Sequence, residues 1–133
     1  MIIGIGTDIV DIRRIEKIHM RHGSRFLDRC FTKAEQALFK GDVSAIARRY
    51  AAKEAASKAL GTGIGAQIGF HDLEILRGGN GQPQLQLSAA AQAYVERAFA
   101  SDRGAERASD PVRAHISLSD EPPYAVAYVV VEG

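Results

Sequence analysis

The sequence predicts an α+β fold: a single domain over residues 1–133, with an antiparallel sheet packed on helices. Three observations carry this. A chain of 133 residues supplies one hydrophobic core and not two. The elements run strand, three helices, two strands, helix, two strands, without the regular alternation of a parallel α/β fold. Four of the strands form two consecutive pairs, each joined by a turn short enough for a hairpin.

Ile2 to Asp8 reads as the first strand, its glycines allowing close backbone approach. Asp11 caps a helix to about His22, with Ile12, Ile15 and Ile18 inward, and Gly23 breaks it. Thr32 and Glu35 form a capping box that opens a short helix fading at Gly41. Ser44 caps an alanine-rich helix ending at Leu60, where Gly61 stops it. A glycine-rich loop, Gly61 to Gly65, follows. Phe70 to Arg77 and Gln84 to Leu87 form a hairpin about Gly78–Gly81. Ser88 caps a helix to about Ala100, with Ala91, Tyr94, Val95, Ala98 and Phe99 inward. Ser101 to Pro111 is a polar, mobile loop. Val112–Ser119 and Tyr124–Glu132 are the last strands, joined tightly through Asp120–Pro123.

Apolar residues at 46% and charged residues at 25% exclude disorder of the whole chain. The run Tyr124–Val131 is too short to span a membrane, and the first residues lack the basic segment of a signal peptide. A lone cysteine, Cys30, excludes a disulfide framework and an all-cysteine metal site. A cytoplasmic protein without membrane contact is expected.

Charge divides along the chain. Residues 1–60 carry 12 Lys and Arg against 7 Asp and Glu; the remainder carries 5 against 9. A basic face on a nearly neutral protein suits an acidic partner or a phosphorylated ligand, and equally a solvated surface. Residues 13–33 supply most of it, and Arg14 and Arg21, seven apart, share a helix face with Ile18 at its edge. No aromatics interleave there, which weakens a stacking nucleic-acid surface.

Three places could hold chemistry. Asp8 ends an apolar strand, where an acid is unusual; it reads as a solvated strand end, a cap, or a ligand. On the long helix, Tyr50, Glu54 and Lys58 are spaced by four and share a face, as an exposed ion pair or as part of a site. The glycine loop after it is either a C-cap or an anion-facing turn, but not a P-loop. On the strand Ala114–Ser119, alternation puts His115, Ser117 and Ser119 on one face, a polar wall or a solvated surface. Zinc and Ser-His-Asp readings fail for lack of further ligands and a nucleophile elbow. Hard oxygen donors are what the chain offers, and Asp8 with Glu54 would suit Mg²⁺.

Taken together, the segments Gly4–Arg14 (Gly-Ile-Gly-Thr-Asp-Ile-Val-Asp-Ile-Arg-Arg), Phe31–Glu35, Arg49–Gly65 (with Ala-Ala-Lys-Glu-Ala and Gly-Thr-Gly) and His115–Ser119 closely resemble the bacterial holo-[acyl-carrier-protein] synthase family. These are the small 4′-phosphopantetheinyl transferases. The resemblance covers nearly the whole chain except the loop Ser101–Pro111. It implies transfer of phosphopantetheine from coenzyme A to a serine of apo-acyl carrier protein, in fatty acid biosynthesis, with adenosine 3′,5′-bisphosphate as the other product. It further implies Mg²⁺ on Asp8 and Glu54, and Lys58 near the transferring phosphate as the third catalytic residue. Lys53, Gly61, Gly63, Gly65, His115 and Ser117 fall in the coenzyme A regions. Arg14, Ile18, Arg21 and Arg25 fall in the carrier-docking region. The serine proton goes to Glu54 or to a metal-bound water. Family members of this size are homotrimers with active sites between subunits. Two rivals stand beside this reading: a non-catalytic basic module binding nucleic acid, and a scaffolding oligomer built on the alanine-rich helix.

Overall fold

Strand β1 (Ile2–Asp11) runs into helix α1 (Ile12–His22) with no loop between them. Asp11 ends the strand and caps the helix, its carboxylate accepting the Arg13 N–H at 2.9 Å. The computed structural model describes residues 1–104, 106 and 110–133. Ile12 and Ile15 are buried as expected; Ile18 is half-buried. Gly23, with φ of +54°, breaks the helix, and a further helix that sequence reading missed, α2 (Ser24–Cys30), starts directly after it. Its signal was present: Phe26 and Cys30, four apart, are both buried. Helix α3 (Lys33–Phe39) has the expected capping box between Thr32 and Glu35.

Helix α4 (Val43–Ala59) is capped by Asp42 rather than Ser44, because the Asp42 carboxylate accepts the Ser44 N–H at 2.9 Å. A 3₁₀ turn (Phe70–Asp72) replaces the first part of the expected strand. There Asp72 accepts the Gly69 N–H at 2.8 Å, so the extended chain begins only with β2 (Leu73–Arg77). β3 (Pro83–Leu87) pairs back antiparallel, and Ser88 caps α5 (Ala89–Ala98) as expected. Ala98, expected inward, is exposed at the helix end. A short α6 (Ala100–Arg103) opens the segment read as a loop. Residues 105 and 107–109 of that expected loop lie outside the described residues. β4 (Arg113–Glu121) and β5 (Tyr124–Glu132) close the chain as a hairpin.

The strands form two antiparallel sheets, β1-β5-β4 and β2-β3, where the sequence suggested one. The outer edge of β2 is closed by side chains instead of a strand. Ile75 donates its N–H to Glu35 at 3.0 Å, and its carbonyl accepts from Arg49 at 3.2 Å. On the other side, β3 and β4 line a groove of about 480 Å³.

The three-stranded sheet packs on α4, which is buried almost all round. A Cβ at Gly4 would stand 2.0 Å from the Ala59 carbonyl oxygen, and one at Gly6 1.9 Å from that of Ala55. Only a hydrogen fits, so glycine on β1 and alanine on α4 set the distance between strand and helix. Val10, Ala125, Ala127, Val129 and Val131 fill the same interface. The opposite sheet face leaves Ile5, Ile9, Tyr124, Val126 and Tyr128 exposed.

Candidate active site

Asp8 follows Gly4 and Gly6 at the strand period of two, so it faces α4 just past the close contact. Its carboxylate is 17% exposed and lies 3.0 Å from the Lys58 ammonium, which also donates to the Thr7 carbonyl at 3.0 Å. Lys58 stands at the mouth, its side chain 52% exposed. Glu54, one turn before Lys58, is half-buried beside them. Its carboxyl is pushed up, first by burial and then by the Asp8 charge; Lys58, Arg14 and a hydrogen bond from Tyr50 oppose the shift. Burial also pushes up the Tyr50 phenol, and the Glu54 charge adds to it. The Arg14 guanidinium lies 5.9 Å from the Tyr50 ring centroid, tying the first helix to this site.

Two neighbouring carboxylates, one of them burdened by the other's charge, are a fitting donor set for a hard cation that takes one or two protein oxygens. No third His, Cys, Asp or Glu joins them in a cluster among the described residues. Helix spacing puts Glu54 and Lys58 on one face, as the sequence suggested, and Asp8 of β1 meets that face through Lys58.

Lys53 stands apart from that face. Placed in the coenzyme A region by resemblance, it is 0% exposed in the side chain, as is its partner Glu35. Its ammonium donates to Glu35 at 2.7 Å and to the Phe70 carbonyl at 2.8 Å. Burial pulls this ammonium below the usual lysine range, and the Glu35 carboxylate opposes that. No ligand reaches it.

The glycine loop is also largely spent on its own helix. The Gly61 N–H donates to the Lys58 carbonyl, those of Thr62 and Gly63 to Ser57, and that of Gly65 to Ile68. Gly61 and Gly63 take φ of +75° and +63°, where glycine is favoured. The first three of these amides cap the helix and the fourth closes the loop on itself, so none of the four is free to cradle an anion.

His115 and Ser117 stay apart from Asp8 within one chain. The registers put Asp8, Ala127 and Leu118 in one cross-strand row on the helix side. Thr7, Tyr128 and Ser117 form the adjacent row, on the opposite face. His115 shares that outer face and meets Glu132 at 3.1 Å.

Arg14, Arg21 and Arg25 are exposed, and Arg25 belongs to α2, not α1. Ile18, His22, Arg25, Phe26 and Arg29 line a pocket of about 400 Å³ between the two helices, apolar at its base and basic at its rim.

Sequence reading missed one basic feature. Arg48, Arg49 and Arg77 line a pocket of about 280 Å³ with Gly81, Pro83 and Leu118. Arg48 meets Asp120 at 2.7 Å. Burial lowers the Arg49 pKa, and the nearby Arg77 and Arg48 charges lower it further against Glu35. The adjacent Arg48-Arg49 pair was visible in the sequence; Arg77 joins it only through the β2-β3 fold.

The sequence pattern of the 4′-phosphopantetheinyl transferase superfamily matches residues 4–128. A holo-[acyl-carrier-protein] synthase of Bartonella bacilliformis is 43% identical over 99% of this chain and 96% of its own length. The structure of the Helicobacter pylori holo-[acyl-carrier-protein] synthase in complex with coenzyme A is 35% identical, with a TM-score of 0.82 over 96% of this chain and 99% of that one. The Neisseria meningitidis holo-[acyl-carrier-protein] synthase is 34% identical, with a TM-score of 0.83 over 100% of both chains. With the pattern matched across both the β1 aspartate and the α4 stripe, this chain belongs to the 4′-phosphopantetheinyl transferase superfamily, alongside the holo-[acyl-carrier-protein] synthases.

Proposed function

We propose that this enzyme transfers the 4′-phosphopantetheine group of coenzyme A to a serine of an apo-acyl carrier protein, releasing adenosine 3′,5′-bisphosphate. One observation carries the reading: Asp8 from β1 meets Glu54 and Lys58 from α4 at a partly open site, in a chain matched across residues 4–128. A nucleic-acid module gives those carboxylates no role.

Asp8 and Glu54 are the residues to hold Mg²⁺. Bound there, the ion would supply positive charge to the pyrophosphate oxygens of coenzyme A. In the reaction the serine oxygen forms a bond to the β-phosphorus, and the bond from that phosphorus to the bridging oxygen breaks. Electrons of that bond leave with the α-phosphate. Lys58 neutralises the charge gathering on the departing oxygen. Glu54 is the carboxylate to which we assign the serine proton. The Arg48, Arg49 and Arg77 pocket suits a further phosphate, and we assign it the 3′-phosphate of coenzyme A.

The basic α1–α2 face, with Arg14, Ile18, Arg21 and Arg25, suits an acidic carrier protein. We further propose a homotrimer. An exposed sheet face with Ile5, Ile9, Tyr124, Val126 and Tyr128 supports it, because such a face calls for a partner. Light scattering tests this: a trimer is expected, and Ile9→Asp with Tyr128→Asp should give monomers. A wild-type protein that is active as a stable monomer would contradict it.

No helix among the described residues is long and apolar enough to cross a membrane. The free thiol of Cys30 suits the reducing cytoplasm, the location we assign. The function is tested by chromatography of the nucleotide products. Adenosine 3′,5′-bisphosphate should form only when coenzyme A, Mg²⁺ and the apo-carrier are all present. Its absence from the complete mixture would overturn the reading.

A further inference from the structure

We propose that Lys53 is a positioning residue for Glu54: its buried pair with Glu35 sets the rotation of α4 that turns the Glu54 carboxylate toward Asp8. The inference rests on the reading of Asp8 and Glu54 as a cation site.

Successive residues of an α-helix are about 100° apart around its axis. Lys53 and Ala55 are therefore roughly 200° apart, and Glu54 lies midway on the arc between them. Both flanks of that arc are pinned. On the Ala55 flank, Gly6 of β1 comes so close that a Cβ would stand 1.9 Å from the Ala55 carbonyl oxygen. On the Lys53 flank, the ammonium must meet Glu35 at 2.7 Å and the Phe70 carbonyl at 2.8 Å together. Arg49, one turn earlier, adds its bond to the Ile75 carbonyl at 3.2 Å. Glu35 is itself held from three directions, accepting from Thr32 at 2.9 Å, Lys53 at 2.7 Å and Ile75 at 3.0 Å. The ammonium thereby ties α4 to α3 and to the 3₁₀ turn, and through the Glu35 carboxylate to β2.

A buried ion pair adds little net stability, because desolvation offsets most of the attraction. Apolar side chains would fill the same volume. What they lack is direction: methylene groups slide, whereas an ammonium between two fixed oxygens admits one rotation and one height of the helix. Tyr50, Glu54 and Lys58 share the stripe that this rotation aims. A misplacement of about 1 Å in such a group can cost on the order of 100-fold in rate.

The test compares wild type with the double variant Glu35→Gln/Lys53→Met, which removes both buried charges. Mn²⁺ alone is titrated into each protein and followed by the loss of its free electron paramagnetic resonance signal. The variant should keep its circular dichroism spectrum and bind Mn²⁺ roughly tenfold or more weakly. Its kcat should fall roughly tenfold or more, while KM for the carrier protein stays within about twofold. A folded variant with wild-type Mn²⁺ affinity and kcat would overturn the proposal. If the double variant does not fold, Lys53→Gln, whose shorter side chain cannot hold both oxygens at the lysine distances, is measured below its melting temperature, with the same weakening of Mn²⁺ binding expected and wild-type affinity overturning the proposal. Loss of fold in both would make Lys53 a scaffold residue and also overturn the proposal. A wild-type protein that binds Mn²⁺ but transfers nothing would defeat the proposed function and leave the Mn²⁺ comparison intact.

Discussion

The Lys58 ammonium sits 3.0 Å from the Asp8 carboxylate, across the junction of the first strand and the long helix. The two residues are 50 positions apart in sequence and meet because Gly4 and Gly6 let the strand lie directly on alanine. An exposed ion pair of this kind adds little to stability. Its value is placement: it holds a cation where phosphate charge leaves, beside a second carboxylate whose own charge is costly.

Removing either carboxylate should abolish most of the activity without unfolding the protein. Asp8→Ala and Glu54→Ala are each expected to lower turnover by roughly 100-fold or more and to raise the Mg²⁺ needed for half-maximal rate. Steady-state rates over a Mg²⁺ series check this. Wild-type rates at limiting Mg²⁺ in both variants would refute the metal assignment.

Gly6→Ala should be among the most damaging single methyl additions in this chain. Its Cβ meets helix backbone, which cannot rotate away, so a loss of about 3 kcal/mol is expected. For a domain of this size that lowers Tm by roughly 10 °C. Gly65→Ala, where a Cβ meets nothing within 4 Å, should change stability by no more than about 0.5 kcal/mol. Thermal melts of the two variants separate close packing from mere loss of glycine.

The cap of α1 should survive mild acid. The side-chain hydrogen bond from Arg13 is the largest cause holding the Asp11 carboxyl down, to about 2 from its ordinary 3.8. A depressed folded-state value stabilises above the unfolded value, and that contribution disappears as pH falls from about 3.8 through about 2. Carbon-13 titration of Asp11 should give a midpoint near 2, and Arg13→Ala should return it toward 3.8. A midpoint unchanged by Arg13→Ala would remove Arg13 as the cause.

Reversal of Arg21 and Arg25 to Glu should harm the use of carrier protein far more than the binding of coenzyme A. Both arginines are exposed, on α1 and α2, within roughly one Debye length of a docked partner. Exposed interface charges act mainly on association, so kcat/KM for the carrier should fall by roughly tenfold or more and become less sensitive to salt. Calorimetry with coenzyme A alone should stay within a few-fold of wild type. Equal losses in both measurements would show that this face is not the docking surface.

What could be read from the chain followed the range of the interaction. Caps at Asp11, Thr32 and Ser88 are contacts within three residues, and all three were legible. Asp42 was passed over for Ser44 because both are good caps two residues apart. Glu54 and Lys58 were legible because the helix period alone puts them together. Asp8 stood out as an acid in an apolar strand. Lys53 was misread, since its adjacency to Glu54 says nothing about Glu35, 18 residues earlier, which the capping box already explained. His115 and Ser117 were correctly placed on one face of a strand. Which side of the sheet that face takes depends on the register through β5 to β1, which no local pattern carries. The split into two sheets was hidden for the same reason: Arg49 and Glu35 close the edge of β2 from distant helices.

The transfer itself is tested most directly on the acceptor. Apo-acyl carrier protein is incubated with this enzyme, coenzyme A and Mg²⁺, and its intact mass is measured, with a carrier variant lacking the acceptor serine alongside. The wild-type carrier should gain one phosphopantetheine group and the variant none. An unchanged carrier mass in the complete mixture, with folded enzyme and carrier, would contradict the proposed transfer.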